Sequence, residues 1–152
     1  MRPVPGGWDE AQRRLRARAQ DQAALLVPRP GCSIYELSAP ALGPARVTQH
    51  SSFNGKWTSV TLSYGEPDAP AGPRVTVTTE ARDGGMVARS RPDSPPEAES
   101  RQEVDNVTVT VATWGVAMDA ARIAPVRDMR QVIEASLAET IELIERRRRE
   151  PG

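Results

Sequence analysis

Asn54-Gly55 stands between two runs of strand-forming residues within Ala45 to Tyr64. Asn and Gly tolerate the positive φ angles that a two-residue type I′ turn demands, so the pair predicts a β-hairpin. An ungapped register then sets Phe53 opposite Lys56, Ser51 opposite Thr58, Gln49 opposite Val60 and Val47 opposite Leu62. Alternation places these on one face. Arg46, Thr48, His50 and Ser52 fall on the other, against Trp57, Ser59, Thr61 and Ser63.

More strand patterns follow. Ser33–Ser38 is a short candidate. Arg74–Ala81 alternates Val75, Val77 and Thr79 with Arg74, Thr76, Thr78 and Glu80. Asp83-Gly84-Gly85 signals a turn that leads into a short strand over Met86–Ser90. Val104–Trp114 sets Val107, Val109, Val111 and Thr113 against Asn106, Thr108, Thr110, Ala112 and Trp114. Residues 65–73 form a Pro/Gly loop. Residues 91–103 hold three prolines and no large apolar side chain, which predicts a mobile loop.

Two helices frame the strands. Asp9 with Gln12 resembles a capping box, and a helix is expected to run to about Leu26, where Pro28 and Pro30 stop it. Its stripe of Ala11, Leu15, Ala19, Ala23 and Leu26 is thin. Asp128 with Gln131 predicts a second cap ahead of a long helix to about Arg148. There Met129, Val132, Ile133, Leu137, Ile141 and Ile144 recur at spacings of three and four. The pattern specifies an α+β fold, a largely antiparallel sheet of four to six strands flanked by an N-terminal and a long C-terminal helix. Both helices are expected to cover the Val-rich face. One domain is expected over residues 8–149, with 1–7 and 150–152 as loose tails.

Composition removes several functions. The 20 basic and 20 acidic residues balance, which argues against strong non-specific nucleic-acid or membrane affinity. Arg supplies every basic residue but Lys56, a skew that matches a GC-rich, bacterial coding sequence. Cys32 is the only cysteine, so neither an intrachain disulfide nor a cysteine-based zinc site can form. No signal-peptide pattern opens the chain and no apolar run approaches a membrane span, so the cytoplasm is the expected compartment.

Catalytic signatures are missing. There is no GxSxG, Walker, GxGxxG or HExxH pattern, and Asp68, Glu80 and Asp83 do not form a ligand set. No cofactor is implied. Asn106-Val107-Thr108 inside a strand pattern is a chance match to a glycosylation acceptor. Three functional readings remain. The first is a non-catalytic protein-interaction module of the small bacterial immunity or accessory type, binding a partner or itself through the polar sheet face or an open strand edge. Its residues are Trp57, Trp114, His50, Arg46, Thr61 and Thr76, because exposed aromatics are enriched at recognition sites. The second is nucleic-acid binding by a basic patch of Arg13, Arg14, Arg146, Arg147 and Arg148, joined if the helices are antiparallel. Pairing of the first cluster with Glu139, Glu142 and Glu145 across the helix interface, and of Arg146 with Glu142 and Arg149 with Glu145 within the last helix, would instead neutralise that patch. The third is a small enzyme or ligand carrier using His50 and Cys32.

Overall fold

A computed structural model describes residues 7–27, 29–38, 42–65, 73–82, 95–118 and 122–149. The order is α1 (Gly7–Leu25), β1 (Tyr35–Leu37), β2 (Arg46–Phe53), β3 (Lys56–Gly65), β4 (Arg74–Ala81), β5 (Ala98–Val104), β6 (Val107–Trp114), β7 (Ile123–Pro125) and α2 (Met129–Arg149). Five strands form an antiparallel sheet in the order β2-β3-β4-β6-β5, and β1 pairs with β7 in a separate two-stranded ribbon. The fold is α+β, as the patterning requires. The candidate strand 86–90 lies outside the described residues.

The Asn54-Gly55 turn forms with both residues at positive φ, 53° and 74°. Register holds at the two ends of the hairpin, where Phe53 pairs with Lys56 and Val47 with Leu62, but slips between them. Ser52 pairs with Trp57 and Ser51 with Ser59, which leaves Thr58 as an extra residue on β3. A second bulge on β2, at Thr48, cancels the slip before Val47. A bulge reverses which face the flanking side chains take. Trp57 therefore joins Val60, Leu62 and Tyr64 in the core, and His50 moves opposite Val60 instead of Ser59.

A second departure concerns residues 91–103. From Ala98 onward this stretch is the edge strand β5 rather than a mobile loop. It pairs along its whole length with β6 through a two-residue turn in which Asp105 takes φ 51°. Pairing with the Val-rich β6 supplies the order that β5's polar side chains cannot supply alone.

The apolar face carries Val60, Leu62, Tyr64, Val75, Val77, Val107, Val109 and Val111, all nearly inaccessible. Its cover differs from the expected pair of helices. The β1–β7 ribbon lies over it, and two buried hydrogen bonds fix the ribbon there. The Tyr35 N–H donates to Thr79 Oγ1 at 3.0 Å, and the Leu37 N–H donates to Tyr64 Oη at 2.9 Å. Leu26, Cys32 and Ile34 extend this cover. The alanine-rich α1 has no fully buried residue, and α2 has only Ile133.

The helices instead sit at the β2 margin of the sheet. Ser136 Oγ accepts from the Val47 N–H at 3.1 Å and donates to Ala45 O at 3.3 Å. Arg46 Nη1 meets Glu139 Oε1 at 3.0 Å. Asp128 caps α2 as its sequence indicates, its Oδ1 accepting from the Arg130 N–H at 3.0 Å. Asp9 lies inside the first turn of α1, two residues past the helix start.

Burial pushes the Tyr64 hydroxyl up to about 12, opposed by the Leu37 N–H and reinforced by the charge of Glu36. An unfolded tyrosine ionises near pH 10. The folded state therefore holds this proton longer, and its contribution to stability is lost as pH rises from about 10 towards 12. Urea midpoints are expected to fall across that window, and Tyr64→Phe is expected to flatten the fall. An equal alkaline slope in both proteins would contradict this.

Candidate functional site

The residues singled out in the sequence separate into three places. Trp57 is fully buried, and its indole Nε1 donates to Val27 O at 2.9 Å. Arg29 stacks over the ring at 5.5 Å and donates to Trp57 O at 2.8 Å. This side chain fastens the end of α1 to the sheet. Trp114 does lie on the outer face, yet it is only 4% exposed and Arg74 covers its ring at 4.0 Å. Neither indole is offered to a partner. The expected display of exposed aromatics is corrected on both counts, by a bulge for Trp57 and by a stacked guanidinium for Trp114.

The remaining outer-face residues are engaged with one another. Arg46 binds Glu139 and also donates to Gly65 O. Thr61 shares a hydrogen bond of 3.0 Å with Thr78, and Thr48 shares one of 2.8 Å with Ser63. Thr76 is half-buried in the same surface, paired across the ladder with Ala112. A threonine lattice of this kind is good strand chemistry and holds no convergent binding groups.

His50 and Cys32 are not brought together. His50 is on the edge strand β2, its Nδ1 shut off from solvent and without a hydrogen-bond partner. Cys32 is buried beside Asn106 at the β6 end of the sheet, with β3 and β4 between β2 and β6. No group of three or more His, Cys, Asp or Glu side chains among the described residues is placed to hold a metal ion. No described helix is long and apolar enough to cross a membrane.

Comparison with protein-family models, curated proteins and solved structures finds no match to this chain. The site must be read from its own geometry.

The third place is the helical hairpin. The two helices are antiparallel, with Trp8 level with Arg148, whose guanidinium stacks on the indole at 4.9 Å. Arg16, Ala19 and Ala23 of α1 and Ile133, Leu137 and Ile141 of α2 line the seam between them. The Arg146–Arg149 end of α2 therefore lies beside the first turn of α1. Much of that charge is locally paired, since Arg14 meets Glu10 at 3.0 Å, Arg146 meets Glu142 at 2.8 Å and Arg149 meets Glu145 at 4.0 Å.

Along the seam runs an open cleft of about 680 Å³. Its floor is Ala19, Ala23, Ile133, Leu137 and Ile141, and Arg16, Gln20, Arg130 and Glu134 stand on its rim. Small alanines on both walls allow a third helix to approach closely. Sequence reading counted these apolar residues as sheet cover. Ile133 does belong to the core, with Ala19 and Ala23 packed against it, whereas Leu137 and Ile141 are left on the seam; the thinness of the α1 stripe was the available signal.

Trp57→Ala is expected to lower the unfolding free energy by about 3–5 kcal/mol, the usual cost of emptying a buried indole site. Chemical denaturation measures it. A change below about 1 kcal/mol would place this side chain outside the core.

Proposed function

We propose that the protein is a non-catalytic protein-interaction module that docks its partner on the α1–α2 hairpin. The observation that supports this is the near-absence of fully buried side chains in two long helices. An amphipathic stripe is stabilised mainly by tertiary packing. Here Leu137, Ile141, Leu143 and Ile144 remain only half-buried although they lie on an ordered helix. An apolar groove between helices, rimmed by charge, suits recognition of another helix. The sheet face offers less, because Trp114 is buried beneath Arg74 and Thr48, Thr61, Ser63 and Thr78 are hydrogen-bonded to one another. The edge strand β5 presents Glu99, Arg101 and Glu103, charges of the kind that discourage strand addition.

A second reading, nucleic-acid binding at the free end of the hairpin, draws on Arg13 and Arg14 together with Arg146, Arg147 and Arg148. It is weaker. Glu10, Glu142 and Glu145 are interleaved with these arginines, and Trp8, the aromatic beside them, is already covered by Arg148.

A photo-crosslinking phenylalanine analogue placed at the exposed Ala138 in cells is expected to form a discrete protein adduct. The same analogue at Arg101, on the outer surface of β5, is expected to form none. Adducts at Arg101 alone, or at neither position, would contradict docking on the hairpin.

A further inference from the structure

We infer that the occupant of the cleft is a second copy of this chain, packed hairpin against hairpin into an antiparallel four-helix bundle. This rests on the reading of the hairpin as the docking surface and adds the identity of what docks. The argument is one of charge, symmetry and area.

On α1 the charges from residue 13 to residue 18 are all basic: Arg13, Arg14, Arg16 and Arg18. On α2 the charges from residue 134 to residue 145 are all acidic: Glu134, Glu139, Glu142 and Glu145. Apart from Arg18 and Glu139, which lie on the β2 side, the two signs thus stand on different helices of one surface. Among the described residues, the ion pairs within the two helices run along a helix rather than across the seam, as in Arg14–Glu10 and Arg146–Glu142. Among the described residues, Arg13 and Arg16 have no carboxylate within ion-pair reach.

A two-fold axis running along the hairpin would place α1 of one copy on α2 of the other, antiparallel as they are within a chain. Such an interface is isologous, so every contact occurs twice. The level set by Trp8–Arg148 carries over. Arg13 then stands level with Leu143 of the second copy, within side-chain reach of its Glu145, and Gln20 stands level with its Ser136, two residues from Ala138. The basic stretch meets the acidic one in both halves of the dimer. A chain of net charge +0 adds no long-range repulsion between copies.

Area sets the strength. A helix of 19 residues is about 28 Å long. Two helices side by side therefore offer roughly 500 Å² per copy, near the lower limit for a specific interface. The dimer is accordingly a weak one, forming at micromolar concentration.

Sedimentation velocity from about 1 to about 200 μM spans that range. The expected result is a concentration-dependent shift to twice the chain mass. Ala138→Arg, a change at an exposed position, is expected to abolish the shift with an unchanged melting temperature, and Ala24→Arg repeats the test from the other wall. Arg13→Glu is expected to weaken association roughly tenfold, since two symmetry-related pairs are lost. Adding Glu145→Arg to it is expected to restore most of the loss. A single species of chain mass throughout, or a charge swap that restores nothing, would overturn the proposal. An Ala138 adduct with a different protein would overturn it while leaving the hairpin as the docking surface; absence of any adduct would remove both.

Discussion

One extra residue on β3 decides which way an indole points. Thr58 has no partner opposite it on β2, and this single excess turns Trp57 from the threonine face to the valine face. From there its Nε1 reaches the carbonyl of Val27, and Arg29 closes over the ring. The turn from α1 into the ribbon is thus anchored to the hairpin end of β3. Leu26, Cys32 and Ile34 follow it into the core. Without the bulge, a large apolar ring would sit among hydroxyls, and the end of α1 would lack its anchor.

The covering layer follows from the same economy. Helix α1 is built on alanine, which buries little area per turn, so it cannot seal a sheet of valines. Tyr35 and Leu37 of β1 do that instead, each backbone N–H meeting a hydroxyl that rises from the sheet. Those hydroxyls, on Thr79 and Tyr64, explain why polar atoms are tolerated at the centre of the apolar face: each satisfies a ribbon donor that would otherwise be buried without a partner. The helices are then free to lie along β2, where Ser136 and Glu139 satisfy the edge that Val47 and Arg46 expose. The result is a core that takes from the seam only Ile133, with Ala19 and Ala23 packed against it, and a seam that stays open along Leu137 and Ile141.

Periodicity and turn chemistry made the five main features of the chain readable: two helices, the Asn54-Gly55 hairpin, and the alternating β4 and β6. Their class and pairing sense followed. A local pattern does not show a bulge, because the sequence on either side of Thr58 alternates equally well in two registers. That is why spacing alone places Trp57 and His50 on the wrong face. The strand β5 was hidden for a different reason. Its side chains have no strand signature, and its order comes from the backbone of β6. Burial of Trp114 was unreadable because Arg74, forty residues earlier, becomes its neighbour only when β4 and β6 pair. The groove was the hardest to see. Leu137 and Ile141 look like core residues by spacing, and only the placement of the ribbon shows that the sheet does not need them.

Amide hydrogen exchange at high dilution tests most directly whether the sheet and ribbon close a core of their own. Slow exchange confined to β3, β4, β6 and the Tyr35 and Leu37 amides is expected, with α1 and most of α2 exchanging through local opening at far lower free energy. Helical amides as protected as those of β4 would contradict it, because they would place the hairpin inside the same cooperative core.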